Sequence, residues 1–477
     1  MLFLNKLIEH QASRPNFYAL ANDRRKLAYS ELAHTVQNVT HYLASQGVLP
    51  GMVVGISITD EVDHMVASLS LLAIGAVQVT LASHESDEAR KLLAERVGLS
   101  LLLTDKSDVR LSNTPILVWD DLYFYRQSVA EVLDKSDVQG MLFLSTSGTT
   151  GGSNLILFTE QQLSLQAMRH LDYRDERLMR IAPVEYNTSK RHRLYSLWNG
   201  GENFFRPSSK IAEVVEYARA HDVTCFDISR MHVNELIAMS NPSLFSGMRI
   251  RPGGAEVPSQ LRQSFLNNVS QSLYVRYATT ETGAIAMATP SHHDEDATSG
   301  YPLDDVEIQV VDHEDKILPK GEVGEIRVSA PGMATAYYDS VAQTQLRFRG
   351  GWFYPNDMGY IRDDGQLVIK GRKDDMINLN GINIFPVDIE RVLESHPEVK
   401  RAVALGIGSS IHGQIPVAVV ELIDVNGVTD VALQDFARAH LALRYPRRIK
   451  FVENMPINHQ GKILRHEIKK LFVTASQ

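Results

Sequence analysis

Ser145-Thr146-Ser147-Gly148-Thr149-Thr150-Gly151-Gly152 follows directly on the apolar run Met-Leu-Phe-Leu at 141–144. Three threonines, two serines and three glycines stand together there without a charge. An apolar run feeding such a segment predicts a buried strand that opens into a phosphate-cradling loop. Glycines let the backbone approach an anion closely and aim successive N–H groups at it. The hydroxyls of Thr146, Ser147, Thr149 and Thr150 add further donors. A solvated surface loop has the same composition, so this stretch alone leaves both readings open. No Gly-Lys-Ser/Thr follows, which excludes a Walker-type loop. Gly152-Ser153-Asn154 stands where a lysine would be expected, so positive charge must come from elsewhere.

Before the loop, residues 1–140 alternate helical and strand patterns. Helices are predicted over 27–43 and 62–74, and strands over 53–57, 76–81 and 99–103. Short apolar strands between longer helices argue for a parallel sheet wrapped by helices. Such sheets bind ligands at the carboxyl ends of their strands, which is where 145–152 falls. The uncharged stretch 65–82 is long enough to raise a membrane question. Gly75 and four polar residues divide it, so a buried helix, a turn and a buried strand are predicted instead. The first eight residues read as an amphipathic helix start rather than a signal peptide, and the cytoplasm is the expected location.

After the loop, 160–170 is predicted helical and 182–190 is a polar segment. Tyr186, Asn187 and Thr188 there read equally as pocket lining or as plain loop. The basic run Lys190-Arg191-His192-Arg193 reads as a solvated face. A helix is predicted over 211–220 and a strand over 223–228, the latter holding Cys225 as a buried side chain. A short strand at 248–250 then runs into Arg251-Pro252-Gly253-Gly254-Ala255. The strand at 273–276 leads into Tyr277-Ala278-Thr279-Thr280-Glu281-Thr282-Gly283, a second hydroxyl-rich loop with one acid. A carboxylate beside a phosphate site makes sense with a divalent cation between them, and Mg²⁺ is held by few carboxylates plus substrate phosphates. Glu281 is that candidate. The His-His-Asp-Glu-Asp run at 292–296 lacks helical ligand spacing and reads as a solvated charged loop.

From Val306 the texture becomes short strands with turn signals, a β-rich subdomain. Asp357 lies within it in Gly351-Trp352-Phe353-Tyr354-Pro355-Asn356-Asp357, read as a tight loop. Its carboxylate makes either an Asx turn or an acceptor for sugar hydroxyls. The charged turn Gly371-Arg372-Lys373-Asp374-Asp375 reads as a linker. Beyond it the patterns give a small α+β unit of about a hundred residues, a plausible domain size. Near the end, Lys462 follows a turn-rich loop and by itself reads as a surface lysine.

Composition bounds the rest. The 477 residues, 44% hydrophobic and 22% charged, allow a large core and more than one domain. A net charge of −9 does not suggest non-specific nucleic-acid binding. One cysteine excludes an intrachain disulfide and a cysteine-built zinc site.

Taken together and in this order, the stretches at 146–151, 253–255, 277–281, 351–357, 371–374 and 461–462 resemble the adenylate-forming superfamily. That superfamily comprises acyl-CoA synthetases, aryl-CoA ligases, peptide-synthetase adenylation domains and firefly luciferase. The resemblance spans residues 142–465. It implies an α/β fold with a large N-terminal domain, residues 1–371, of helix-flanked sheets and a β-rich subdomain. A small mobile α+β C-terminal domain, 372–477, would hinge near Asp374. It further implies ATP-dependent activation of a carboxylic acid as acyl-adenylate, release of pyrophosphate, and transfer to a thiol, CoA first. Loading of a stand-alone carrier protein's phosphopantetheine arm is the alternative acceptor, and a degenerate nucleotide- or acyl-binding module is the alternative of another class.

Carried over by position, Thr146, Ser147, Gly148, Thr149, Thr150 and Gly151 would hold the β- and γ-phosphates. Thr280 would contact phosphate and Glu281 the Mg²⁺. Gly253, Gly254, Ala255 and Tyr277 would frame adenine, with Ala278 and Thr279 in the same loop. Asp357 and Arg372 would bind the ribose hydroxyls, and Lys462 would bridge the attacking carboxylate and the α-phosphate. Tyr186 or Asn187 stands where many relatives carry histidine before the acyl pocket. Asn380 replaces the first glycine of a pair beside the thiol tunnel, leaving Gly381. Ser153 and Asn154 replace the usual Pro-Lys of the phosphate loop.

Overall fold

The structure is a computed structural model. It describes every residue except 107–110, 112–113, 121–137, 147–152, 207, 209, 240, 254–256, 294–296, 410, 425–426, 458–462 and 474–477. A six-stranded sheet runs in the order Ile116–Val118, Leu101–Thr104, Val53–Ser57, Val77–Thr80, Met141–Ser145, Leu155–Thr159. Its pairs are parallel except the last, where Ser145 lies opposite Leu155. A second six-stranded sheet runs Arg249–Gly253, Cys225–Ser229, Arg177–Arg180, Glu202–Phe204, Tyr18–Ala21, Lys26–Ala28, again parallel but for its last pair. The carboxyl ends of Met141–Ser145 and Arg249–Gly253 therefore deliver the two glycine-rich stretches, as the alternating pattern predicts.

The Glu61–Ile74 helix explains how an uncharged segment folds here without a membrane. The Asp60 side chain caps it by accepting from the Val62 and Asp63 amides, and Gly75 ends it at φ 88°. Every residue of it is buried. Among the described residues no helix is long and apolar enough to cross a membrane.

The basic run at 190–193 departs from its reading. It lies in the Asn187–Asn199 helix, and residues 189–197 are all buried. The polar segment at 182–190 is helical from Asn187 onward. The helix sits between the two sheets, which explains why no solvated face exists on this part of it. Lys190 Nζ donates to Thr80 Oγ1 at 3.2 Å in the first sheet. Arg193 donates to the Arg180 carbonyl in the second sheet at 3.3 Å, and pairs with Glu61 at 3.1 Å. Burial pushes Glu61 upward and Arg193 downward, and each is partly offset by the other's charge. Cys225 is buried in its strand, as expected.

A β-rich part follows, with Gly324–Ser329 between Glu307–Val311 and Asp357–Ile361, and Leu367–Arg372 beyond. Two expectations change there. Asp357 opens a strand rather than sitting in a loop, and Gly371 and Arg372 end one rather than forming the linker turn. The small C-terminal domain follows. It has a five-stranded sheet centred on the Val399–Ser409 and Gly413–Leu422 ladder, and its own core around Ile389, Leu393, Ala418 and Leu433.

The Glu61–Arg193 pair gives a direct test of this packing. Arg193→Gln leaves a buried carboxylate unpaired and is expected to cost about 3–5 kcal/mol in urea unfolding. Adding Glu61→Gln should recover part of that loss, whereas additive losses would contradict the pairing.

Candidate active site

One β-turn, one cross-strand pair and the mouth of the glycine-rich loop build the site. The Val275–Thr279 strand turns through residues 280–282 into Gly283–Ala288. Thr279 Oγ1 lies 2.9 Å from Thr282 Oγ1 and accepts from the Thr282 amide at 3.2 Å, which closes the turn. Glu281 sits at its tip, 8% exposed. Its Oε1 accepts from the Tyr337 hydroxyl at 2.7 Å, and its carbonyl accepts from the Ala334 amide at 2.8 Å. Tyr337 carried no signal in the sequence.

Tyr277, three residues before this turn in the same strand, donates through its hydroxyl to Asp357 Oδ2 at 2.5 Å. Asp357 lies opposite Arg372 in the neighbouring strand pair. Arg372 holds Asp374 by two bonds, Nε to Oδ1 at 2.9 Å and Nη2 to Oδ2 at 3.0 Å, and reaches the Pro355 carbonyl at 3.4 Å. Burial raises Asp357 to about 6, against the Tyr277 hydrogen bond and the Arg372 charge, which hold it down. Burial acts on Asp374 in the same sense, but the bonds from Arg372 outweigh it and leave Asp374 below the ordinary range. The Glu281 charge contributes to raising both Asp357 and Tyr277, so turn and pair share one electrostatic neighbourhood.

The mouth of the glycine-rich loop is pinned. The Thr146 amide donates to the Asn154 carbonyl at 2.8 Å, and the Asn154 amide returns to Thr146 Oγ1 at 3.2 Å. Asn187 Nδ2 donates to both the carbonyl and the hydroxyl of Ser145 at 2.8 Å. Arg96 Nη1 donates to the Ser153 carbonyl at 2.8 Å. Tyr186 caps the same helix and packs its ring at 4.6 Å from His84. Glu185 beside it accepts from both the amide and the hydroxyl of Ser83 at 2.8 Å. Lys190, buried against the neutral hydroxyl of Thr80, is pushed down to about 7 by burial.

The structure therefore brings Tyr277, Ala278, Thr279, Thr280, Glu281, Asp357, Arg372 and Asp374 into one region. It also sets Asn187 against the strand end before Thr146. Ser147, Gly148, Thr149, Thr150, Gly151, Gly254, Ala255 and Lys462 lie outside the described residues, and Gly253 ends its strand just before that boundary. Residues 294–296 of the acidic run also lie outside them; His293 Nε2 is within 2.8 Å of the Leu273 carbonyl. Asn380 and Gly381 form the two-residue turn between Ile377–Leu379 and Ile382–Ile384 in the C-terminal domain. Both have positive φ, 49° and 83°, the Asn-Gly chemistry that a tight hairpin requires. No hydrogen bond or ion pair among the described residues joins that turn to the Tyr277–Asp357 group. Among the described residues no group of three or more histidine, cysteine or acidic side chains is arranged to hold a metal ion.

The Tyr277–Asp357 bond makes a signed prediction. Tyr277→Phe removes an interaction that favours the carboxylate, so the Asp357 pKa should rise above about 6. A carbon-detected NMR titration of the aspartate carboxyls reads it, and an unchanged or lower value would refute the assignment.

Comparison with known proteins follows the same lines. The model of the AMP-binding enzyme family matches residues 7–338, and that of the AMP-binding enzyme C-terminal domain matches 388–462. The 2-succinylbenzoate–CoA ligase of Geobacillus kaustophilus is 27% identical over 97% of this chain and 96% of its own. ATP-bound MatB from Rhodopseudomonas palustris superposes with a TM-score of 0.91 at 20% identity, covering 100% of this chain and 99% of that one. MenE from Bacillus subtilis, an o-succinylbenzoate CoA synthetase solved with its acyl-adenylate, gives 0.85 at 23% identity, covering 98% of both chains. With the family model covering well over half of its length, and the expected motifs in the expected order, the chain belongs to the AMP-binding enzyme family of the adenylate-forming superfamily.

Proposed function

We propose that the chain is an ATP-dependent acid–thiol ligase of the cytoplasm that forms an acyl-adenylate and passes the acyl group to CoA. The observation that carries this reading is the joining of Tyr277, Asp357 and Arg372 beside the Glu281 turn. A ribose needs hydrogen-bond acceptors and donors on one edge, and Asp357 with Arg372 supplies them. Tyr277 lies along adenine in this reading, with Gly253, Gly254 and Ala255. Residues 146–151 and Thr280 take the phosphates.

Glu281 fits a magnesium site by its chemistry. It is a buried hard-oxygen donor with one oxygen held by Tyr337, which leaves Oε2 directed by that bond, and threonine hydroxyls stand next to it. Bound there with ATP, Mg²⁺ would neutralise phosphate charge during attack. The rest of the work falls to the chain. An oxygen of the substrate carboxylate attacks the α-phosphorus, and the bond to the pyrophosphate oxygen breaks. Lys462 offsets the charge of the two approaching anions. The thiolate sulfur of CoA then attacks the acyl carbon, and AMP leaves with the bonding electrons.

Residues 1–371 and 372–477 act as two bodies that turn about Asp374, whose grip by Arg372 links the ribose site to the hinge. The turn at Asn380 and Gly381 lies beside the thiol path, and asparagine serves there with less backbone strain than most residues. Tyr186 and Asn187 line the acyl pocket, in the place relatives give to histidine. Asn154 is not a cation, but it closes the phosphate loop.

Pyrophosphate release with Mg·ATP, across short, aryl, amino, fatty and dicarboxylic acids including 2-succinylbenzoate, tests the reading. Release with one acid class that CoA accelerates is the expected result. Release that only a phosphopantetheinylated carrier protein accelerates would move the acceptor, and no release with any acid would favour a binding module. Lys462→Ala should slow adenylate formation by about two to four powers of ten and spare thioester formation from supplied acyl-adenylate. Equal loss in both steps would remove Lys462 from its role.

A further inference from the structure

Arg191 is left without a task by these assignments, yet it is buried at 3% exposure and reaches the nucleotide turn. Its Nη1 donates to the Thr280 carbonyl at 2.6 Å and its Nη2 to the Thr279 carbonyl at 3.3 Å. Arg169, capping the Glu160–Met168 helix, donates through Nη2 to the Thr282 carbonyl and through Nη1 to that of Pro331 at 3.1 Å. Three carbonyls of one turn are thus drawn to guanidinium groups. Gly283 makes room for this: its φ is +77°, and a Cβ there would lie 3.0 Å from Arg169 Nη2.

In a trans peptide the N–H points opposite to the C=O. Holding the carbonyls of Thr279 and Thr280 towards Arg191 turns the amides of Thr280 and Glu281 to the other side. A positive charge behind the carbonyls also polarises those peptides in the sense that favours an anion in front of the amides. No ion pair between Arg191 and a carboxylate occurs among the described residues, so its charge is not cancelled by a close partner. The phosphate loop, meanwhile, has Ser153 and Asn154 in place of a cation.

We propose that Arg191 is a positioning residue for Mg·ATP, one that fixes the Thr279–Glu281 backbone and supplies the positive potential the phosphate loop lacks. This rests on the assignment of Thr280 and Glu281 to the phosphates and their cation. Arg169 braces the far end of the same turn.

The test is calorimetric titration of Mg·ATP into the full chain without acid, so that no turnover is needed. Arg191→Gln is expected to weaken binding roughly tenfold or more, the scale of a lost charge-assisted hydrogen bond. Arg191→Lys keeps the charge but loses the two-pronged grip, and should fall between Arg191→Gln and wild type. Arg193→Gln serves as the stability control: it empties a buried arginine position on the same helix and should leave affinity within about twofold. Wild-type affinity in Arg191→Gln, or an equal loss in Arg193→Gln, would overturn the positioning role while leaving the nucleotide site in place. A wild-type chain that binds no Mg·ATP would overturn the nucleotide site itself and Arg191's role with it. In turnover, the KM for ATP should rise in Arg191→Gln by much more than the KM for the acid, a split that general destabilisation does not produce.

Discussion

A buried polar or charged group is tolerated only with a partner, and the Asn187–Asn199 helix carries Lys190, Arg191, Arg193 and a neutral His192 into the space between two sheets. Each partner lies on a different element. Lys190 meets Thr80 of the first sheet, and Arg191 meets the Thr279–Thr280 turn. His192 Nδ1 lies 2.6 Å from the Tyr173 hydroxyl, and Arg193 meets Glu61. Because these directions are fixed by hydrogen bonds, the helix has little freedom to rotate or slide. Asn187, one turn before Arg191, is thereby set against Ser145 at the mouth of the glycine-rich loop.

The same helix marks where sequence reasoning stops. Four consecutive basic or histidine residues describe a surface when only neighbours along the chain are visible. Their partners Glu61 and Thr280 lie 132 and 89 residues away. Asp357 has a similar history: its glycine-rich surroundings suggest a loop, whereas the ladder that places it opposite Arg372 is a tertiary fact. Tyr337 and Arg169 left no trace, because single tyrosines and arginines carry no periodicity. What was legible is of another kind. The apolar runs of 53–57 and 211–220 coincide with a strand and a helix, since period and length decide such segments locally. The family was legible through the order of its motifs, each of which is weak alone.

Two departures from the family pattern become intelligible in the structure. Asn380 occupies a hairpin position with positive φ, a conformation asparagine adopts with less strain than most residues. Asn154 pairs by backbone with Thr146 across the base of a loop whose flanking strands are already in register at Ser145 and Leu155. A side chain at that place is therefore free to change as long as the backbone pairing is kept. The sequence departs from the pattern where the fold asks for a conformation rather than for a charge.

On the proposed assignments one stiff helix reaches the acyl side at Tyr186 and Asn187 and the nucleotide side at Arg191, which would make the two ligands thermodynamically reciprocal. Whatever free energy the acid contributes to seating this helix reappears, with the same sign and size, in the affinity for nucleotide. Selectivity for the acid then need not reside in the acyl pocket alone. An ill-fitting acid that strained this helix would also loosen ATP, so one rigid body would discriminate against the wrong substrate twice.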